Sequence, residues 1–268
     1  MSTATTTPPL SRSLLHKTTS AGALPSPVPA HALVKRPAAE RGVFDHGWLR
    51  SAHSFSFGQY YDPRFKSYHA LRVINDDWID AGRGFPTHPH RDFEIFSYVL
   101  EGAISHKDST GNGSTVNAGE VQLMSAGSGI KHSEFNPSSI HPMRLLQVWL
   151  IPAVRGAPPR YNTRSLSCEE KAGKLALFIA EDGREGAIQT LAPADVYAGT
   201  FKEGEATEFV LAPGRCGWVQ VARGHLHVGG VELSQGDGLA INAPGRLTFS
   251  GGQNAEVLFF DLEDQKNR

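Results

Sequence analysis

The chain has 268 residues, with 26 Lys and Arg against 27 Asp and Glu, and a formal net charge of -1 gives no global field to attract nucleic acid or an anionic membrane. No apolar run approaches the ~18–20 residues that span a bilayer, so no membrane partner is expected. The two cysteines, Cys168 and Cys216, lack neighbours that read as a zinc or redox motif, which argues against a disulfide framework. Both are expected to be buried small hydrophobes in a cytoplasmic protein.

The first 39 residues are rich in Ser, Thr, Ala and Pro and contain no Asp or Glu. Such an acid-poor start resembles an organelle transit peptide. Prolines at 8, 9, 25, 27, 29 and 37 would break an amphipathic helix, however, and there is no apolar signal core. Positions 1–33 are therefore expected to form a disordered tail.

From about residue 43, short runs of alternating apolar residues recur: ALRVIND (70–76), FEIFSYVL (93–100), EVQLMS (120–125) and RLLQVWLI (144–151). Glycine-rich clusters such as DSTGNGS (108–114) and SAGSG (125–129) separate them, and the stretch from 93 to 123 reads as consecutive hairpins. A segment richer in Pro and Arg, 152–172, looks like a connection. The pattern then restarts with LALFIA (175–180), WVQVARGHLHVGGVEL (218–233), DGLAIN (237–242) and EVLFFDL (256–262). SYVLEGAISH (97–106) is echoed by VQVARGHLHV (219–228), so the chain reads as a weak internal duplication. The expectation is an all-β protein of two tandem antiparallel β-barrels, 34–160 and 161–268.

The candidate site lies in THPHRDFE, where His88 and His90 alternate with Pro89. Residues i and i+2 of a strand project from one face, so both imidazoles can converge on one ion. SGIKHSEFNPS (128–138) places His132 and Glu134 at the same spacing after a glycine-rich turn. Two such strands facing each other would supply three imidazoles and one carboxylate. That set suits Fe(II), Mn, Co, Ni, Cu or Zn rather than Ca or Mg, and it leaves positions open for catalysis. An H-x-H pair alone is more often a pair of partly exposed histidines. His225 and His227 share the spacing but have no following H-x-E, and they read as structural.

HPHRDFE, YVLEG, SAGSGIKHSE, FSFGQYYDP (55–63) and LRVINDD (71–77) together resemble the pirin family of the cupin superfamily, in its bacterial quercetin 2,3-dioxygenase form. The likeness runs from about residue 34 to the C-terminus. It implies a jelly-roll bicupin with one mononuclear metal in the N-terminal barrel and a second cupin domain, 161–268, without ligands. General cupins use a first-motif glutamate, here Glu94. The pirin form implies Glu134 as the fourth ligand beside His88, His90 and His132, and leaves Glu94 either orienting an imidazole or solvated. The implied cofactor is Fe(II), with Ni, Cu, Co, Mn or Zn as alternatives. The implied reaction is flavonol cleavage by O2 with release of carbon monoxide, in a monomer, with Glu134 as general base. Phe55, Phe57, Phe93 and Phe135 are candidates for the wall of an aromatic pocket. A second implication is an iron-dependent, redox-sensing regulator acting through a protein partner, with Arg91 beside His90 as the reporter.

Overall fold

The computed structural model describes residues 25–265. Of the expected tail, 1–24 lie outside the described residues, whereas 25–33 are placed: Pro27 bridges to Arg246, Val28 is buried, and Ala30–Ala32 forms a 3-10 helix. The all-β expectation holds as two jelly-roll halves. Their sheets have open edges, so neither half is a closed barrel.

In the first half a seven-stranded sheet runs in the order Arg160–Ser165, Glu120–Ser125, Glu94–Glu101, Met143–Leu150, Leu71–Ile79, Leu49–His53, Gly42–Asp45. A four-stranded sheet, ordered Gly84–His90, Ile130–Phe135, Ala103–Asp108, Gly113–Asn117, accompanies it. Glu94–Glu101 and Ala103–Asp108 were expected to form a hairpin. Instead Gly102, at φ 71°, passes the chain from one sheet to the other. A Cβ there would stand 3.1 Å from Met143 Cβ, so the turn needs glycine. The hairpin that does form joins Ala103–Asp108 to Gly113–Asn117.

The second half is a nine-stranded sheet built around two long strands, Arg215–Val228 and Gly245–Glu263. Register shifts after Val221, Arg223 and His225 bend the first of these. Two strands cross the expected division at residue 160. Leu33–Arg36 pairs with Gly238–Ile241 of the second half, and Arg160–Ser165 pairs with Glu120–Ser125 of the first.

Strand alternation explains how the seven-stranded sheet is buried on both faces. Phe96, Tyr98 and Leu100 share a face that packs with Leu146, Val148 and, from the second half, Phe178, Trp218, Leu258 and Phe260. The intervening Ser97 points to the opposite, inner face. Cys216 is buried as expected, but Cys168 is exposed, because it is the first residue of the single-turn helix Cys168–Lys171 and sits between the exposed Ser167 and Glu169.

Candidate metal centre

Gly84–His90 and Ile130–Phe135 are antiparallel neighbours that set His132 opposite His88. Between His132 and Glu134 the pairing steps from His88 to Phe85, so an extra residue is accommodated near Pro86 and Thr87. His88 Nδ1–H donates to the Pro86 carbonyl at 2.7 Å, which leaves its Nε2 lone pair free. That Nε2 lies 3.1 Å from His132 Nε2, and one ligand atom from each of His88, His90 and His132 falls within 4.8 Å of the others.

These residues fit a metal. Two nitrogens each ~2.1 Å from one ion and at right angles about it would stand about 3.0 Å apart. Burial holds the His90 imidazole down at about 4 and His132 at about 2, the latter with help from the neighbouring imidazoles. Both rings are therefore neutral donors at pH 7.

His132 is oriented from behind by residues that do not stand out in the sequence. His106 lies on the adjacent strand, its Nε2 3.4 Å from Asp108 Oδ2 and its Nδ1 3.4 Å from His132 Nδ1. If His106 Nε2–H faces the carboxylate, its Nδ1 accepts from His132 Nδ1–H, and His132 Nε2 is left to face His88. The signal for His106 was its place two residues after the buried Ile104 in an alternating strand. Tyr161 stacks on His106 at 4.4 Å and donates to Gln122 Oε1.

Glu134 is fully buried, and three donors hold its carboxylate. Gln122 Nε2 lies at 2.6 Å and Ser97 Oγ at 3.3 Å from Oε1, with Gln147 Nε2 at 2.9 Å from Oε2. Burial outweighs these donors and pushes the carboxyl up to about 7. The same 4.8 Å criterion groups Glu134 with His106 and His132 and not with the trio. The trio alone reaches open space, since His88 and His90 line the adjacent cavity, whereas all three members of the other group are buried.

Glu94 is corrected. It is neither solvated nor beside an imidazole: its Oε2 accepts from Ser125 Oγ, Thr190 Oγ1 and the Leu191 amide. Its even position puts it on the outer face with Phe96, toward the second half. His225 and His227 are exposed beside the inward Leu226, and neither belongs to a metal-competent group among the described residues.

A cavity of about 560 Å³ opens beside the trio, walled by Phe44, Phe57, Phe85 and Trp149. Of the four phenylalanines singled out above, only Phe57 lines it. Phe55 packs against Trp218 in the core, Phe93 packs behind Trp149, and Phe135 is exposed. Asp77, also unanticipated, lines the cavity; burial pushes it up to about 7, and Ser51 hydrogen-bonds to it. Arg91 is exposed and bonded to the Ser128 carbonyl through Nε and Nη2 at 3.1 and 2.7 Å. No helix among the described residues is long and apolar enough to cross a membrane.

Known proteins agree with this architecture. Residues 34–150 match the family model Pirin, and 177–262 match one described as the quercetinase C-terminal cupin domain. A quercetin 2,3-dioxygenase of Escherichia coli K12 is 46% identical over 227 residues, covering 85% of this chain and 97% of that protein. A pirin-like protein of Caulobacter vibrioides is 40% identical over 230 residues, covering 85% and 98%. The solved structure of the bacterial pirin YhhW from Escherichia coli, in complex with nickel(II), superposes with a TM-score of 0.82 at 44% identity, covering 86% of this chain and 99% of that one. On this evidence the chain belongs to the pirin family, with a cupin domain in each half.

Proposed function

We propose that this chain is a metal-dependent dioxygenase that cleaves flavonols such as quercetin, with His88, His90, His132 and Glu134 holding the ion. The observation that carries the reading is the convergence of three imidazoles, two of them held neutral by burial, at the wall of an aromatic cavity. The names of the similar proteins point the same way, and the similar pirin structure carries nickel(II). A bound divalent ion, Fe(II) in this reading, would supply Lewis acidity toward a substrate oxygen and a position for O2.

The remaining work falls to the chain. Phe57, Phe85 and Trp149 offer a planar ligand an apolar slot. Gln122, Gln147 and Ser97 fix the orientation of Glu134. Taking up the substrate hydroxyl proton is the role we assign to the carboxylate of Glu134. Gln147, which both lines the cavity and donates to Glu134 Oε2, stands between them. Asp77 competes for the same role, because it lines the cavity itself and is also held near 7.

The test is anaerobic reconstitution with single metals, followed by quercetin consumption and carbon monoxide release on admitting O2. Turnover is expected in the reconstituted chain and lost in His132→Ala. Undiminished turnover in that variant would sink the assigned site.

A further inference from the structure

A row of polar side chains crosses the inner face of the seven-stranded sheet. The register sets Gln122 opposite Ser97, Ser97 opposite Gln147, Gln147 opposite Asn75, and Asn75 opposite His53. Residues paired across strands project to the same side, so the five form one line. Gln122, Ser97 and Gln147 are committed to Glu134. The other two are not. Asn75 is 3% exposed and His53 7%, both line the cavity, and Asn75 Oδ1 and His53 Nδ1 are buried with no hydrogen-bond partner. Folds seldom retain buried polar atoms unpaired, and two side by side on a cavity wall mark where a ligand completes the bonding.

Position and charge say what that ligand group is. Neighbouring strands are ~4.8 Å apart, which places Asn75 one strand and His53 two strands, roughly 10 Å, from Gln147. An aromatic wall spans the same distance, with ring centroids 4.8 Å apart from His90 to Trp149, 5.3 Å from Trp149 to Phe57 and 5.3 Å from Phe57 to His53. Burial holds the His53 imidazole at about 4 against the opposing pull of a hydrogen bond to the Phe57 backbone, so at pH 7 the ring is uncharged, its N–H faces that carbonyl, and Nδ1 offers a lone pair. An anionic group gains nothing from such a pair. A hydroxyl does, since it can donate to Asn75 Oδ1 or to the His53 Nδ1 lone pair, and two neighbouring hydroxyls on one ring can satisfy both.

We propose that Asn75 and His53 form a second recognition subsite of this cavity, which binds a phenolic hydroxyl of an aromatic ligand at the end away from His88 and His90. The assignment rests on the aromatic-ligand reading above and adds the feature that selects among such ligands.

The test compares two flavonols on the metal-loaded chain without O2: quercetin, and its analogue with no hydroxyls on the pendant ring. The wild-type chain should bind quercetin about three- to tenfold more tightly. Asn75→Leu and His53→Phe should each bring that ratio close to one with metal content unchanged. The ligand-free Asn75→Leu variant should melt no lower than wild type, because an apolar side chain of similar size relieves an unpaired acceptor. A fall in its midpoint would mean that the amide is already bonded in the free protein, and would overturn the assignment. If the wild type binds neither flavonol, the aromatic-ligand reading fails and the subsite with it. If it binds both equally, or if the preference survives both variants, only the subsite is refuted and the two atoms hold solvent alone.

Discussion

In the metal-free chain, Glu134 should make folding stability fall as pH rises, and Glu134→Gln should remove its share of that slope. The carboxyl is fully buried, and burial raises it from an ordinary 4.5 to about 7, against the opposing pull of Ser97, Gln147 and Gln122. The folded state therefore binds this proton more tightly than the unfolded one. Its contribution is fully present below pH 4.5 and is lost as pH rises through 7. The whole loss is about 3 kcal/mol, of which about 2.5 kcal/mol falls between pH 5 and 8. The substituted amide turns an N–H toward Gln122 or Gln147, a cost of about 1–3 kcal/mol that is the same at both pH values. Titration of the histidines and of Asp77, itself pushed up to about 7, is common to both proteins. Urea unfolding of the chelator-treated pair at pH 5 and pH 8 gives four free energies. Their double difference isolates Glu134 and should be about 2–3 kcal/mol, with wild type losing more on going to pH 8. Parallel pH profiles, or a difference of the opposite sign, would refute the account of a buried carboxyl held up by desolvation.

Three further outcomes follow from the same contacts. His106→Phe and Asp108→Asn should each weaken metal affinity about 10–100-fold in a competition titration while leaving the fold intact, because they remove the groups that orient His132. Asp77→Asn separates the two candidate bases: an unchanged pH–rate profile leaves proton acceptance with Glu134, and loss of the limb near pH 7 moves it to Asp77. Glu94→Leu should cost about 2–3 kcal/mol in urea unfolding, by stranding the Ser125, Thr190 and Leu191 donors, with metal stoichiometry unchanged.

The sequence was legible where a short-range rule decided the outcome. Period-2 alternation marked the strands, and i, i+2 spacing put His88 with His90 and His132 with Glu134 on shared faces. It failed where the outcome depended on which sheet a strand joins. The cupin likeness offers Glu94 a place behind an imidazole, as if it shared a strand face with the histidines, but Gly84–His90 and Glu94–Glu101 lie in different sheets. Parity along FEIFSYVL already separates Glu94 from Ser97, and Ser97 is the residue that reaches Glu134. His106 and Asp77 were passed over because each is a lone polar residue within an alternating strand. Their importance comes from partners on other strands, in the one case His132 and in the other the cavity.

The second half supplies none of the proposed ligands, yet the site depends on it. A sheet in a single sandwich must bury apolar side chains on its inner face, and that face then has little room for polar ones. Here the outer face is buried as well: Phe96, Tyr98, Leu146 and Val148 pack on Phe178, Trp218, Leu258 and Phe260 from the second half. With that outer core in place, the inner face can carry Gln122, Ser97, Gln147, Asn75 and His53 in one row. The interface is held by exchanged strands and not by apolar contact alone. Leu33–Arg36 joins the sheet of the second half, and Glu94 bonds across to Thr190 and Leu191. The half that supplies none of the proposed ligands thus provides the burial that lets the other half keep a polar interior.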